Sequence, residues 1–305
     1  MTAVAVVALA VATTAPIVVT VVGLICFGIL HNVLELRYVL GRFGQLLSGR
    51  VAVLLVGLVT GIVVFRLSAT YLGSAAIVAE ILVGYAVLAA GACLGMRGWR
   101  LGTAAVVLAV GTILSLTHPT YHFVVLAHLH NLVPLVFLWD WSRRLTGQAR
   151  TVFRAVQVSW VCLIPALVLV GGLDRWITAD PGVVEPLVGD GARVIAATAW
   201  PAVPEHALRW LVAFAFLQTM HYIVWVWFLP RAAPEVVKDF ETRWPALRNG
   251  RLWALGLVLA GLLAVLLATD YGQGRTVYSA LASYHAYLEF PIVLAMISQS
   301  GGARS

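Results

Sequence analysis

Long runs of apolar residues with few charges recur along the whole 305-residue chain, and they exclude most folds. A soluble domain cannot bury so much apolar surface, whereas a helix of about 20 such residues crosses the hydrocarbon core of a bilayer. Every backbone polar group must be hydrogen-bonded internally in lipid, and a helix achieves this within one segment. The sequence therefore predicts an all-α, polytopic transmembrane helical bundle.

The apolar runs predict about nine membrane-spanning helices. They are expected at 12–36, 51–70, 74–95, 101–117, 119–140, 151–172, 207–229, 251–269 and 276–298. Pro16 is expected to mark a kink or a helix start within the first run. We expect a single transmembrane domain over 1–305, with 173–206 as an external loop within it.

The distribution of basic residues predicts the orientation of the helices. Nine spans place alternate loops on opposite sides, and one set of loops holds most of the 20 Lys and Arg residues. The positive-inside rule assigns that set to the cytoplasm. The N-terminus is then outside and the C-terminus inside, and we expect a multi-pass protein of a bacterial-type plasma membrane.

Several classes of function do not match the sequence. The net charge of +7 is scattered over short loops, without the basic and aromatic stripe that binds phosphate backbones, so no nucleic-acid partner is expected. The cysteines each stand alone in an apolar run, which predicts small buried hydrophobes rather than disulfides. The sequence contains no Walker motif, dinucleotide fingerprint or CxxCH haem-attachment motif. Membrane lipids are the expected surroundings.

Ionisable residues inside the apolar helices are the main functional signal, because each costs roughly 2.5 to 3.5 kcal/mol at the centre of a bilayer. The first and ninth helices each carry a His followed four residues later by a Glu, which places both side chains on one helix face. Further histidines at a similar depth occur in the fifth and seventh helices. The predicted metal ligands are His31, Glu35, His130, His221, His285 and Glu289.

The fifth helix carries further candidates. His122, His128 and Asn131 are predicted as additional ligands or as hydrogen-bond partners of the ligands. We prefer His122 over His128, because a residue two positions from His130 points about 160° away from it on a helix. Glu80 is alone in the third helix, and three roles stay open for it: a partner of a ligand, a proton-path residue or a structural acceptor.

The order of these motifs resembles one family of membrane enzymes. His31-x-x-x-Glu35, His122-Phe123, His221 in an aromatic helix and His285 before an acidic residue resemble the bacterial Brp/Blh-type β-carotene oxygenases. Those multi-span proteins use histidine-bound iron to cleave a carotenoid with oxygen. The resemblance implies the same class of fold, histidine-bound iron and a carotenoid-like substrate for this chain, although Leu217 stands where the family has a second histidine in the same helix.

Three functions follow from these residues. Imidazole and carboxylate ligands suit iron among other metals, so we expect one or two non-haem iron ions. The protein would be an oxygenase or oxidoreductase that acts with O2 on a lipophilic small molecule, such as a carotenoid, another isoprenoid or a lipid. The alternatives are a proton-coupled carrier with a His/Glu relay and a b-type haem protein. In the haem protein the axial ligands would be two of His122, His130, His221 and His285.

Overall fold

The structure is a computed structural model that describes residues 2–248 and 250–300, and within these ranges it is helical and contains no strand. The predicted all-α fold is confirmed. The α-helices are α1 (Thr2–Thr14), α2 (Pro16–Phe43), α3 (Gly49–Leu72), α4 (Ser74–Gly95), α5 (Trp99–Thr117), α6 (Pro119–Leu132), α7 (Pro134–Trp141), α8 (Gly147–Val158), α9 (Ile164–Leu169), α10 (Glu185–Val188), α11 (Ala192–Ala196), α12 (Ala207–Tyr222), α13 (Leu229–Ala232), α14 (Pro234–Arg243), α15 (Arg251–Thr269) and α16 (Tyr271–Ser300).

Other helical geometries join some of these α-helices. Two π-helical segments, Ser159–Leu163 and Ile223–Phe228, make α8 continuous with α9 and α12 continuous with α13. Short 3-10 turns occupy Ser142–Arg144, Asp174–Trp176, Gly182–Val184, Pro204–His206 and Pro245–Leu247. Residues 170–206, which we call the cap, contain α10, α11 and three of these turns, so the predicted external loop is partly helical.

Eight helical stretches in the described residues are long and apolar enough to cross a membrane. They correspond to the first eight predicted spans, and the fold is that of a multi-pass helical bundle. The predicted ninth span lies within α16, which is more polar than the eight. The side of the membrane that each terminus faces stays a prediction, and residues 301–305 of the C-terminus lie outside the described residues.

The first apolar run forms two helices rather than one. Proline lacks a backbone N–H and is tolerated in the first turn of a helix, and α2 begins at Pro16 while α1 ends at Thr14. The expected helix start at Pro16 is therefore confirmed. The short helix α1 buries Ala5, Ala8 and Ala12 in the core cluster that includes α12.

Two helices form the centre of the bundle. They are α2 and the stretch Pro204–Ala232, which contains α12. The most apolar part of Pro204–Ala232 is 67% buried and that of α2 is 56% buried, whereas that of α5 is only 6% buried. Helix α12 packs against α2 and α6, and α16 packs against α2, α3 and α4. The four helices that carry the predicted ligands, α2, α6, α12 and α16, are thereby brought together.

The cysteines do not lie in the core. Cys26, Cys93 and Cys162 are exposed on the surface of the protein, so the prediction that they are buried was wrong. Lipid tails are as apolar as a protein interior, and a small apolar side chain therefore gains little from facing another helix instead of lipid.

Glycines allow α4 to approach α16 closely. A Cβ atom at Gly91 would lie 2.5 Å from the Cα atom of Pro291, and one at Gly84 would lie 2.9 Å from the ring of Tyr287. Small residues at helix contacts let two backbones come together in this way. This contact fixes the position of the part of α16 that carries His285 and Glu289.

We expect Gly91→Ala to lower the thermal unfolding temperature of the detergent-purified protein. The added methyl group would overpack the contact between α4 and α16, and overpacking typically costs about 1–3 kcal/mol. Gly57→Ala is the matched control, because no atom lies within 4 Å of a Cβ atom at that helical position. Equal unfolding temperatures for the two variants would contradict this account of the packing.

Candidate metal centre

Five side chains from four helices converge inside the bundle and can hold a metal ion. Their potential ligand atoms all lie within 4.8 Å of one another. We call this group the His/Glu cluster: His31 and Glu35 from α2, His130 from α6, His221 from α12 and His285 from α16. All are buried except His130, whose side chain is 15% exposed.

Three imidazole nitrogens meet at the centre of the cluster. The Nε2 atom of His285 lies 3.2 Å from Nε2 of His31 and 3.0 Å from Nε2 of His130. Two nitrogens bound to one metal ion at 2.0–2.1 Å lie about 3.0 Å apart at a right angle and about 3.4 Å apart at a tetrahedral angle. The observed separations match the spacing of ligands around a single ion.

Hydrogen bonds set the tautomers of two of these histidines. Nδ1 of His31 donates to the carbonyl oxygen of Phe27 at 2.9 Å, and Nδ1 of His130 donates to Oε2 of Glu289 at 2.8 Å. A neutral imidazole has one N–H, so Nε2 of both rings directs a lone pair into the cluster. Nε2 of His285 carries at most one proton, so it can donate a hydrogen bond to only one of these two lone pairs. A cation at the centre can bind all three nitrogens.

Glu35 and His221 have unpaired polar atoms. Oε2 of Glu35 lies 3.7 Å from Nε2 of His221. Both carboxylate oxygens and both ring nitrogens are buried without a well-formed hydrogen bond among the described residues. Leaving a buried polar group unpaired costs about 1–3 kcal/mol, and more for a charged group. A bound cation would satisfy these atoms.

Glu289 was predicted as a metal ligand, but in the structure it contacts a ligand instead. It lies outside the group of five and accepts the hydrogen bond from His130, with its carboxyl group beside that of Glu35. Metal-binding histidines commonly donate their second N–H to a carboxylate in this way, which fixes the orientation of the ring. The structure therefore assigns Glu289 to holding His130.

The backbone is irregular near several of the cluster residues. Pro134 lies four residues after His130 and has no N–H to bond to its carbonyl group, so α6 ends at Leu132. The π-helical segment Ile223–Phe228 begins two residues after His221, and such segments are frequent at functional sites. Pro291 follows Glu289 closely inside α16.

Two other histidines of α6 lie outside the cluster. Nδ1 of His122 is 3.1 Å from Oγ of Ser115, while Nε2 of His128 is 3.0 Å from the carbonyl oxygen of Thr198 in the cap. Neither position supports their prediction as additional ligands. His122 lies about 12 Å along the helix from His130, and His128 points to the opposite side of it.

A cavity of about 570 Å³ adjoins the cluster, and this volume lies within the usual range for small-molecule sites. His31, His130 and His285 form one end, together with the predicted Asn131. The ring of Tyr222 also lines this end and packs against His31 with 4.5 Å between centroids. The cavity extends from there to the cap and to the first turns of α16, so the cluster is connected to one end of the bundle.

One ion pair in the cavity wall was missed by sequence reasoning. The guanidinium group of Arg66 in α3 pairs with Glu80 in α4 and donates to the carbonyl oxygen of Ser279 at 2.7 Å. Glu80 is therefore a structural acceptor, which was one of its three open roles. A signal was present, because an arginine in an apolar span needs a partner and Glu80 is the acidic residue of the next span.

No protein-family model matches the chain, and no similar protein was found among curated proteins or solved structures. The resemblance to the β-carotene oxygenases therefore stays a prediction.

We expect His221→Ala and His285→Ala to abolish stoichiometric metal binding, because each removes one of the five potential ligands of the cluster. Elemental analysis of the purified full-length variants is the measurement. His128→Ala is the matched control, since this half-buried histidine of α6 lies outside the cluster. Full metal content in both cluster variants would contradict a metal site at this position.

We expect Glu289→Gln to weaken binding of a divalent metal ion by about 10–100-fold, which is the usual cost of losing a carboxylate that orients a metal-binding histidine. The substitution keeps the size of the side chain and removes its charge. Affinity is measured by competition with a chelator, and Glu205→Gln in the cap serves as a control for the loss of one negative charge. Unchanged affinity in Glu289→Gln would show that Glu289 does not act through His130.

Proposed function

We propose that the protein is a membrane-embedded, non-haem iron oxygenase or related oxidoreductase that acts with O2 on a lipophilic small molecule. The observation that carries this proposal is a buried group of four histidines and one glutamate at the end of a cavity. Imidazole and carboxylate ligands suit iron. When bound, iron supplies the one-electron chemistry that O2 requires.

The residues of the chain would hold the ion and orient its ligands. Three Nε2 atoms already point toward one position, and the hydrogen bonds to Phe27 and Glu289 orient two of the rings. Rings that hydrogen bonds already orient in this way favour a preorganised site. The potential ligand atoms of the cluster all lie within 4.8 Å of one another, so they fit around one ion better than around two.

The cavity favours a substrate that approaches the cluster with apolar groups. Its wall includes Phe123, Leu126 and Phe214 near the histidines. Apolar walls with a few placed polar groups are typical of sites for lipophilic small molecules. A carotenoid, another isoprenoid or a lipid is the substrate class that we propose, within the cavity rather than on the lipid-facing surface.

The geometry gives less support to the other two functions. Axial ligands of one haem lie on opposite sides of the iron, about 4 Å apart. The central Nε2 atoms are closer, with separations of 3.0 and 3.2 Å. A proton relay could use the series His285, His130 and Glu289, but it would not account for the convergence of the Nε2 lone pairs of His31 and His130 on one position. The surrounding helices also provide no second such cluster among the described residues.

The proposed function is tested by labelling with oxygen-18. Cells that express the full chain, supplied with iron, are grown under labelled O2, and their lipid extracts are compared with those of cells that express His285→Ala. We expect a labelled lipophilic product with the native chain that is absent with the variant, because the variant lacks one ligand of the proposed iron.

The alternative functions predict different results in the same cells. Identical extracts from the two strains, with iron present in the native protein, would contradict the proposal. Uptake of a solute into vesicles that depends on a pH gradient, together with a metal-free protein, would favour the proton-coupled carrier.

A further inference from the structure

The end of the cavity that lies farthest from the His/Glu cluster is basic. Arg193 from α11 and Arg275 from α16 both line this end. Arg193 is exposed and Arg275 is half-buried. Within the described part of the chain, neither guanidinium group forms an ion pair with a carboxylate. Two uncompensated positive charges therefore lie at the mouth of a cavity that is otherwise largely apolar.

Arg66 provides a comparison within the same cavity. Its charge is balanced by Glu80, which is the carboxylate among the described lining residues. Arg193 and Arg275 have no such partner, although a guanidinium group pairs readily with a carboxylate or a phosphate through two parallel hydrogen bonds. These two arginines are thus available to an anionic group that enters the cavity from the cap.

The distance between the two ends of the cavity suits a molecule with a long hydrocarbon chain. Arg275 and His285 lie on the same helix, and ten residues of α-helix span about 15 Å. The wall between them contains the neutralised Arg66–Glu80 pair and several hydroxyl groups, and its apolar part is formed by side chains that include Ala69, Ile77, Leu126, Ala127, Ala282 and Ala286. An extended hydrocarbon chain can follow this wall while one end stays at the arginines.

We propose that the substrate is a single-chain amphiphile with an anionic head group. The head group binds Arg193 and Arg275, and the chain extends along the cavity toward the His/Glu cluster. This inference rests on the proposed function and narrows it, because a neutral hydrocarbon would leave both arginines unpaired. A carboxylate and a phosphate monoester share the required chemistry.

Binding to the iron-loaded, full-length protein in an uncharged detergent tests the inference. The probes are two matched pairs: oleate with oleyl alcohol, and geranylgeranyl monophosphate with geranylgeraniol. We expect the anion to bind at least about tenfold tighter than the alcohol in at least one pair, since hydrogen bonds between two charged groups are stronger than those to a neutral hydroxyl group. The pair that shows the preference identifies the head group as carboxylate or phosphate.

Variants test whether the preference for the anion over the alcohol depends on the two arginines. Combined Arg193→Gln and Arg275→Gln should reduce binding of the anion to the level of the alcohol, while the corresponding double Lys variant should retain most of the preference. Arg175→Gln is the matched control, because this exposed arginine belongs to the cap but does not line the cavity. It should leave the preference unchanged.

Two results would overturn the inference: equal binding of anion and alcohol in both pairs, or a full preference in the double Gln variant. Iron content is measured on the same samples to separate this inference from the proposed function. Loss of the preference in an iron-loaded protein contradicts only the head-group assignment. A protein that binds the anions through these arginines but holds no metal contradicts only the proposed function.

Discussion

Burial of four imidazoles and a carboxylate inside an apolar helical bundle is the constraint on which the rest of the structure depends. Polar groups at this depth are costly unless they have partners, and here the groups that can share one bound cation come from four different helices. The helices that carry them therefore have to lie together, and α2 and α12 are accordingly the most buried of the candidate spans. Helices without such groups, such as α5, are placed at the periphery, where lipid satisfies their apolar side chains.

Local irregularities in the helices contribute to the arrangement of the cluster. Pro134 ends the regular helix just after His130, and a π-helical segment begins just after His221. Glycines of α4 allow the close approach that positions α16 with His285. The cavity then connects the cluster to the cap, where two arginines lie without a carboxylate partner in the described chain. The proposed metal site and the proposed head-group site thus lie at opposite ends of one cavity.

Much of this arrangement could be predicted from the sequence. Apolar runs of sufficient length reveal the spans, and the spacing of His31 and Glu35 places both on one helix face. The relative directions of His128 and His130 follow from helix geometry, but their neighbours could not be predicted, because contacts between helices depend on how the helices pack. In the structure His122 lies beside Ser115, His128 lies beside Thr198, and Glu289 accepts a hydrogen bond from His130. Arg193 was missed because it belongs to the cap, whose path over the bundle has no periodic pattern.

Metal analysis of the native protein tests the central claim most directly. The full chain is expressed with iron supplied and purified in detergent without chelators, and its iron content, visible spectrum and X-ray absorption spectrum are recorded. The account predicts one iron per chain, no haem band, and nitrogen and oxygen ligands at about 2.0–2.2 Å with the scattering pattern of several imidazoles. The absence of a stoichiometric metal, or the presence of a haem band, would contradict it.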